Sequence, residues 1–97
     1  MCRDDVLRVL GENREVLERR FAVKALHLFG SVARGEASEK SDVDVLVDFV
    51  EKPSLVGFMR LRSFLEALLG ARVDLTTESG LRERVRPFVE RDAIRVG

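Results

Sequence analysis

The nine residues from Ser41 to Phe49, SDVDVLVDF, constrain the fold more than any other stretch of this chain. They alternate strictly, with Asp42, Asp44, Leu46 and Asp48 on one side and Val43, Val45, Val47 and Phe49 on the other. A period of two is the mark of a strand with one face on a core. The valine side must be covered by something apolar, so the chain needs helices to lay against that sheet.

The flanking sequence supplies them. From Arg3 to Arg20, Val6, Leu10, Leu17 and Phe21 follow at spacings of four, seven and four, and Leu7 and Val16 widen the stripe. This pattern predicts an amphipathic helix, mildly interrupted by Gly11. Val23 to Phe29 reads as a short apolar strand ending at Gly30, although Ala25 and Leu26 alone do not exclude a helix. Gly30 to Lys40 is a turn-rich loop opening on a short helical turn. Pro53 predicts the start of a further helix, with Ser54 nearby. Its apolar side comprises Leu55, Phe58, Met59, Leu61, Leu65, Leu68 and Leu69, and Gly70 marks its end. Ala71 to Thr76 reads as a third strand. Glu78 to Asp92 is charged and expected to be helical in two pieces broken at Pro87, and Ile94 to Val96 is expected as a short edge strand. A crossover helix between the second and third strands favours at least partly parallel pairing. The expected class is α/β (α+β), a small mixed β-sheet with helices packed against it.

Composition bounds the function. Ninety-seven residues fit one domain, taken as 1–97, with a single modest core. The chain is 45% hydrophobic and 35% charged, which reads as soluble and globular rather than disordered. Seventeen basic residues balance seventeen acidic ones, which argues against a dedicated duplex-DNA binder. Tyr and Trp are absent and most Phe lie in apolar surroundings, so stacking platforms for single strands are not expected. Cys2 stands alone, so no internal disulfide forms. The charged amino terminus lacks a signal core, and no apolar run approaches the roughly 20 residues that span a bilayer. A cytoplasmic protein with no membrane association is the expectation.

Two features carry chemistry. Asp42 and Asp44 share a strand face with Cα atoms roughly 6.5 Å apart, so their charges repel unless something positive intervenes. Mg²⁺ suits such a pair, because it takes one or two carboxylates together with substrate phosphates. A lone D-x-D is equally the pattern of a solvated strand face. The valines opposite and the turn just upstream weigh against that here. That turn, Gly30–Ser31–Val32–Ala33–Arg34–Gly35, lets backbone N–H groups approach phosphate oxygens, with the Ser31 hydroxyl and the Arg34 guanidinium as further donors. Alone it could be a tight turn with no ligand. It matches neither the Walker pattern nor the dinucleotide fingerprint. Asp48 lies roughly 13 Å beyond Asp44 and reads as a strand-end surface charge, and an EF-hand reading of these aspartates lacks its glycine and terminal glutamate.

Joined, the two features read G-S-x-A-R-G-x-x-x-x-x-S-D-x-D, from Gly30 through Gly35 and Ser41 to Asp44. The stretch LFGSVARGEASEKSDVDVLVDF resembles the DNA polymerase β-like nucleotidyltransferase superfamily, and its minimal nucleotidyltransferase group in particular. The resemblance implies the polymerase β-like palm fold and transfer of a nucleoside monophosphate, AMP from ATP by family habit, to a hydroxyl with release of pyrophosphate. It implies a third carboxylate from a later strand, for which Asp74 is the match; the alternative is an exposed edge-strand aspartate. Asp42, Asp44 and Asp74 would hold Mg²⁺, two ions in the family pattern. Gly30, Ser31, Gly35 and Ser41 would frame the nucleotide phosphates, with Arg34 touching them or bracing the loop. His27, among Ala25, Leu26 and Leu28, reads as a partly buried structural histidine.

The resemblance also implies a partner. Minimal nucleotidyltransferases resemble the antitoxin half of pairs with a HEPN-domain toxin, whose tyrosine they modify with AMP. No tyrosine occurs in this sequence, so a tyrosine acceptor is expected on another molecule, in a homo- or hetero-oligomer. Arg82, Arg84, Arg86, Arg91 and Arg95 form either a docking surface or a solvated helix face. Two other readings stay open: a transferase for a small hydroxyl compound such as an aminoglycoside, and a non-catalytic antitoxin acting by binding alone. The shortness of the chain argues against the first and the three carboxylates against the second.

Overall fold

The computed structural model describes residues 2–35, 42–77 and 93–96. Its elements run α1 (Arg3–Glu12), α2 (Arg14–Phe21), β1 (Val23–Phe29), α3 (Gly30–Ala33), β2 (Val43–Phe49), α4 (Leu55–Leu69), β3 (Val73–Thr77) and β4 (Ile94–Arg95). The expected helical pieces of 78–92 lie outside the described residues.

The single amino-terminal helix expected from Arg3 to Arg20 is two helices. The break falls at Asn13, not at Gly11. Asn13 sits at φ −104° and ψ 11°, and its side-chain amide donates to the Val9 carbonyl at 2.8 Å. A short amide that satisfies a carbonyl of the preceding turn offers the backbone a way out of the helix. Gly11 needs no such departure and stays helical. α2 ends on Ala22 at φ 55°, a left-handed position that turns the chain into β1.

The sheet order is β3-β2-β1-β4. β1 runs antiparallel to both β2 and β4, and β2 runs parallel to β3, as a helical crossover requires. β4 pairs through Ile94 and Arg95 at the edge, where the carboxy-terminal strand was expected. A register shift between Val23 and Ala25 brings Val23 onto the face that Leu26 and Leu28 also occupy. One extra residue in a strand has this effect, since it flips the alternation behind it.

One face of the sheet carries the core. Val43, Val45 and Val47 are buried against Val6, Leu10 and Leu17 from α1 and α2, and against Leu61, Leu65 and Leu69 from α4. α4 begins one residue past Ser54, whose hydroxyl accepts from the Gly57 amide at 3.1 Å, so Ser54 is the cap and Pro53 precedes it. Gly70 ends it at φ 64°. The expected apolar side of α4 is narrower than its leucines suggest: Leu55 is 74% exposed and Met59 52%. The opposite sheet face holds Asp44, Leu46 and Asp48 of β2, beside Asp74 and Thr76 of β3.

Candidate active site

Three local devices bring Asp44 and Asp74 together. The parallel register of β2 and β3 sets Asp44 directly beside Asp74. The amide of Val43 donates to the Arg72 carbonyl at 2.8 Å, which fixes the two strand starts against each other. On the other side, the Glu66 carboxylate of α4 accepts from the Val73 amide at 3.1 Å. The residue after Val73 is Asp74, so the carboxylate is aimed by a strand held at its start from two directions. Glu66 was not among the residues singled out from sequence. Its signal was there: the one acid between Leu55 and Leu69, set between Leu65 and the Leu68–Leu69 pair.

The turn after β1 closes the third side. Phe29 pairs with Asp44 across the antiparallel ladder, so Gly30 emerges next to the Asp44 side chain. Gly30 has φ +74°, and a Cβ there would overlap the Asp44 carboxylate, standing 3.0 Å from Cγ and 3.2 Å from Cβ. Only glycine gives the backbone this conformation and this closeness at once. Ser31 follows within α3, partly buried, and Arg34 caps α3, its amide donating to the Gly30 carbonyl at 3.1 Å. Gly35 is exposed at φ +74°. Ser41 lies outside the described residues.

The electrostatics follow from this packing. Burial pushes the Asp44 carboxyl up from 3.8 to about 6. The charges of Asp74 and then Asp42 add to that rise, as does a side-chain hydrogen bond with Asp74, while Arg34 opposes it. Asp42 is exposed and acts on Asp44 through its charge. Arg34, also exposed, acts on Asp44 with the opposite sign.

Thus Gly30 packs against Asp44, Asp74 stands beside it in register, and the charges of Asp42 and Arg34 are felt there. Among the described residues no three acidic, His or Cys side chains already stand at metal-holding spacing. The donor set that suits a divalent cation is the Asp44–Asp74 pair with Asp42 at its rim. A cation there would relieve the like charges that raise Asp44, and Mg²⁺ needs only one or two carboxylates when phosphates complete its shell. His27 lies two residues before Phe29, partly buried, with Nδ1 buried and, among the described residues, without a hydrogen-bond partner. Among the described residues no helix is long and apolar enough to cross a membrane.

Residues 10–96 match the nucleotidyltransferase domain family. The chain belongs to it. Similarity extends over nearly the whole length to the protein adenylyltransferase MntA of Thermococcus cleftensis, 45% identical over 93 residues, covering 96% of this chain and 94% of that protein. Among solved structures, a minimal nucleotidyltransferase superposes with a TM-score of 0.79 at 46% identity, covering 97% of this chain and 95% of that one. A chain from the complex of tri-AMPylated Shewanella oneidensis HEPN toxin with MNT antitoxin superposes with a TM-score of 0.67 at 17% identity, covering 94% and 71%. That last likeness shows a shared fold. The mixed sheet with helices on one face is therefore the minimal nucleotidyltransferase fold, as the motif implied.

Proposed function

We propose that residues 1–97 form a single minimal nucleotidyltransferase domain that transfers AMP from ATP to a hydroxyl of a HEPN-family toxin, and so acts as its antitoxin. The observation that carries this reading is Asp44, packed against the backbone of Gly30 and in register with Asp74, which is exposed on the edge strand β3. The 45% identity to a named protein adenylyltransferase supports a protein as the acceptor. So does the absence of tyrosine, because a tyrosine acceptor then lies outside these 97 residues.

Asp42, Asp44 and Asp74 are the residues that would hold Mg²⁺, two ions in the family pattern. When bound, Mg²⁺ neutralises triphosphate charge and makes phosphorus easier to attack. The backbone at Gly30 and Ser31 seats the phosphates beside Asp44, where residue 30 carries no Cβ. Arg34, whose charge is felt at Asp44, balances the charge of the triphosphate. Asp74 orients the acceptor hydroxyl and accepts its proton. The hydroxyl oxygen forms a bond to the α-phosphorus, and the bond from that phosphorus to the pyrophosphate oxygen breaks. Gly35 lets the chain leave the turn, and Ser41 would complete the phosphate frame. Catalysis then rests on positioning and charge neutralisation.

The test is to incubate the chain with Mg²⁺, ATP labelled in the α-phosphate, and a candidate HEPN-family partner. Label on the partner, absent with Asp44→Asn, is the expected result. Inhibition of the partner without label would support binding alone. Label on an aminoglycoside and not on the protein would support a small-molecule transferase.

A further inference from the structure

A second surface lies at the other end of the molecule. Arg20, Phe21, Val56, Met59, Arg60 and Phe64 border a groove of about 480 Å³ between the end of α2 and the first half of α4. Phe21 and Phe64 form its floor with ring centroids 5.1 Å apart. Val56 and Met59 form one wall and are 58% and 52% exposed. Exposed aliphatic side chains of this size beside a pair of Phe rings make a contiguous apolar patch, the kind that marks a binding surface. Two arginines flank it. Among the described residues no acidic side chain forms an ion pair with Arg20 or Arg60, whereas Arg8, Arg14, Arg19 and Arg62 each face a glutamate of their own helix. The chain as a whole is neutral, so this is a local excess.

We infer that this groove docks an apolar segment with an acidic rim from the partner protein, as a site separate from the catalytic carboxylates. The identity of the partner rests on the transfer reading above; the chemistry of the occupant rests on the groove. An acidic rim is required because Arg20 and Arg60 otherwise lose water on docking with nothing to compensate them. A second copy of this chain meets the groove poorly. Packing the patch on itself about a two-fold axis opposes arginine to arginine. The acids of α1 are committed too, with Asp4 to Arg3 and with Asp5 and Glu12 to Arg8. A nucleic acid also fits poorly. Its bases need open ring faces, and the Arg20 guanidinium already lies over Phe21 and Phe64, 5.3 and 5.6 Å from their centroids.

The separation from the active site has a consequence. The groove stands where β1 begins and β2 ends, whereas Asp44 sits where β1 ends and β2 begins. Five residues of strand from Asp44 to Phe49 span roughly 17 Å. A partner seated in the groove therefore leaves the carboxylates open to its acceptor hydroxyl. Loss of docking raises the KM for the partner and spares kcat.

The experiment titrates a candidate HEPN-family partner into the full chain by calorimetry, using wild type, Val56→Asp with Met59→Asp, Arg20→Glu with Arg60→Glu, and Asp44→Asn. These groove side chains are at the surface, and thermal midpoints near wild type check that the variants fold. Both groove variants should bind roughly 10- to 100-fold more weakly. AMP transfer at saturating partner should stay near wild type in them. Asp44→Asn should bind as wild type and transfer nothing. Wild-type affinity in both groove variants overturns the proposal while leaving transfer intact. Weakened binding without label in the wild type supports the surface and sinks the transfer reading instead. No complex with wild type overturns the partner and the surface together. An isolated chain that sediments as a dimer, and becomes monomeric with Met59→Asp, overturns it in favour of a second copy. Binding of a 20-mer RNA that the Arg20→Glu, Arg60→Glu variant loses overturns it in favour of nucleic acid.

Discussion

At the scale of single residues, Asp44 couples stability to function in opposite senses. Its carboxyl titrates at about 6 in the fold and at its ordinary 3.8 in the unfolded chain. Between those values the folded state holds more protons, so stability falls as pH rises from 4 to 6 and the full cost persists above 6. Asp44→Asn removes that cost. Because the group is only half-buried, solvent screening reduces the gain to about 1 kcal/mol at pH 7. Urea titrations should find the variant more stable at pH 7 and equal to wild type below pH 4, while transfer is abolished. A variant less stable than wild type at pH 7 contradicts the assignment of strain to this carboxyl. Gly30 and Gly35 make a matched pair, since both have φ +74°. Alanine at 35 meets nothing within 4 Å, whereas at 30 its Cβ enters the Asp44 carboxylate. Gly35→Ala should cost about 1–2 kcal/mol, the backbone term alone. Gly30→Ala should cost more than that and abolish transfer, as thermal melts and the label assay would show.

At the scale of elements, the decisive joint is α4 to β3. Glu66→Ala leaves the Val73 amide without its acceptor and frees the start of the strand that carries Asp74. A loss of about 1 kcal/mol is expected, with a fall in transfer larger than stability alone explains. Glu66→Gln keeps a carbonyl oxygen at that point and should recover most of both; a glutamine variant as impaired as the alanine one argues against positioning through this hydrogen bond. Ala22 offers the reverse case. Its left-handed φ of 55° disfavours a side chain, so Ala22→Gly should raise stability by about 0.5–1 kcal/mol. These joints explain what could be read in advance. β1 was bounded correctly because Val23 and Gly30 are sharp limits, and the β2–β3 pairing because a helix of crossover length lies between them. Alternation marked the β2 face that carries Asp44, whereas Asp74 was reached through the family resemblance. What sequence did not disclose were effects of partners distant in the chain. Asn13 breaks the first helix through one side-chain bond that any amphipathic stripe conceals. Leu55 and Met59 fit the apolar periodicity of α4 yet extend past the edge of the sheet they were expected to cover. The bulge at Val23 becomes visible only once strands are in register.

At the scale of the whole molecule, the sheet separates two jobs. Its valine face is closed by three helices, and stability is concentrated there. Its aspartate face gathers negative charge at Asp44 that, among the described residues, Arg34 opposes. Such a molecule is most stable when something positive enters the site, and binding to the folded state alone raises its melting temperature by mass action. Mg²⁺ with a non-hydrolysable ATP analogue, at ten times the dissociation constant, should add about 1.4 kcal/mol. For a chain of this size that is roughly 5–10 °C. The cation has to displace the proton held by Asp44, so its effect must grow with pH, small at pH 5.5 and near its limit at pH 7.5. Asp44→Asn should abolish the shift at both values, because it removes the ligand and the proton together. Arg20→Glu with Arg60→Glu should keep it, since those side chains lie at the opposite end of the sheet. A shift of equal size at both pH values, or one retained in Asp44→Asn, would mean that the nucleotide binds away from the carboxylates, and the aspartate face would then need another explanation for its charge.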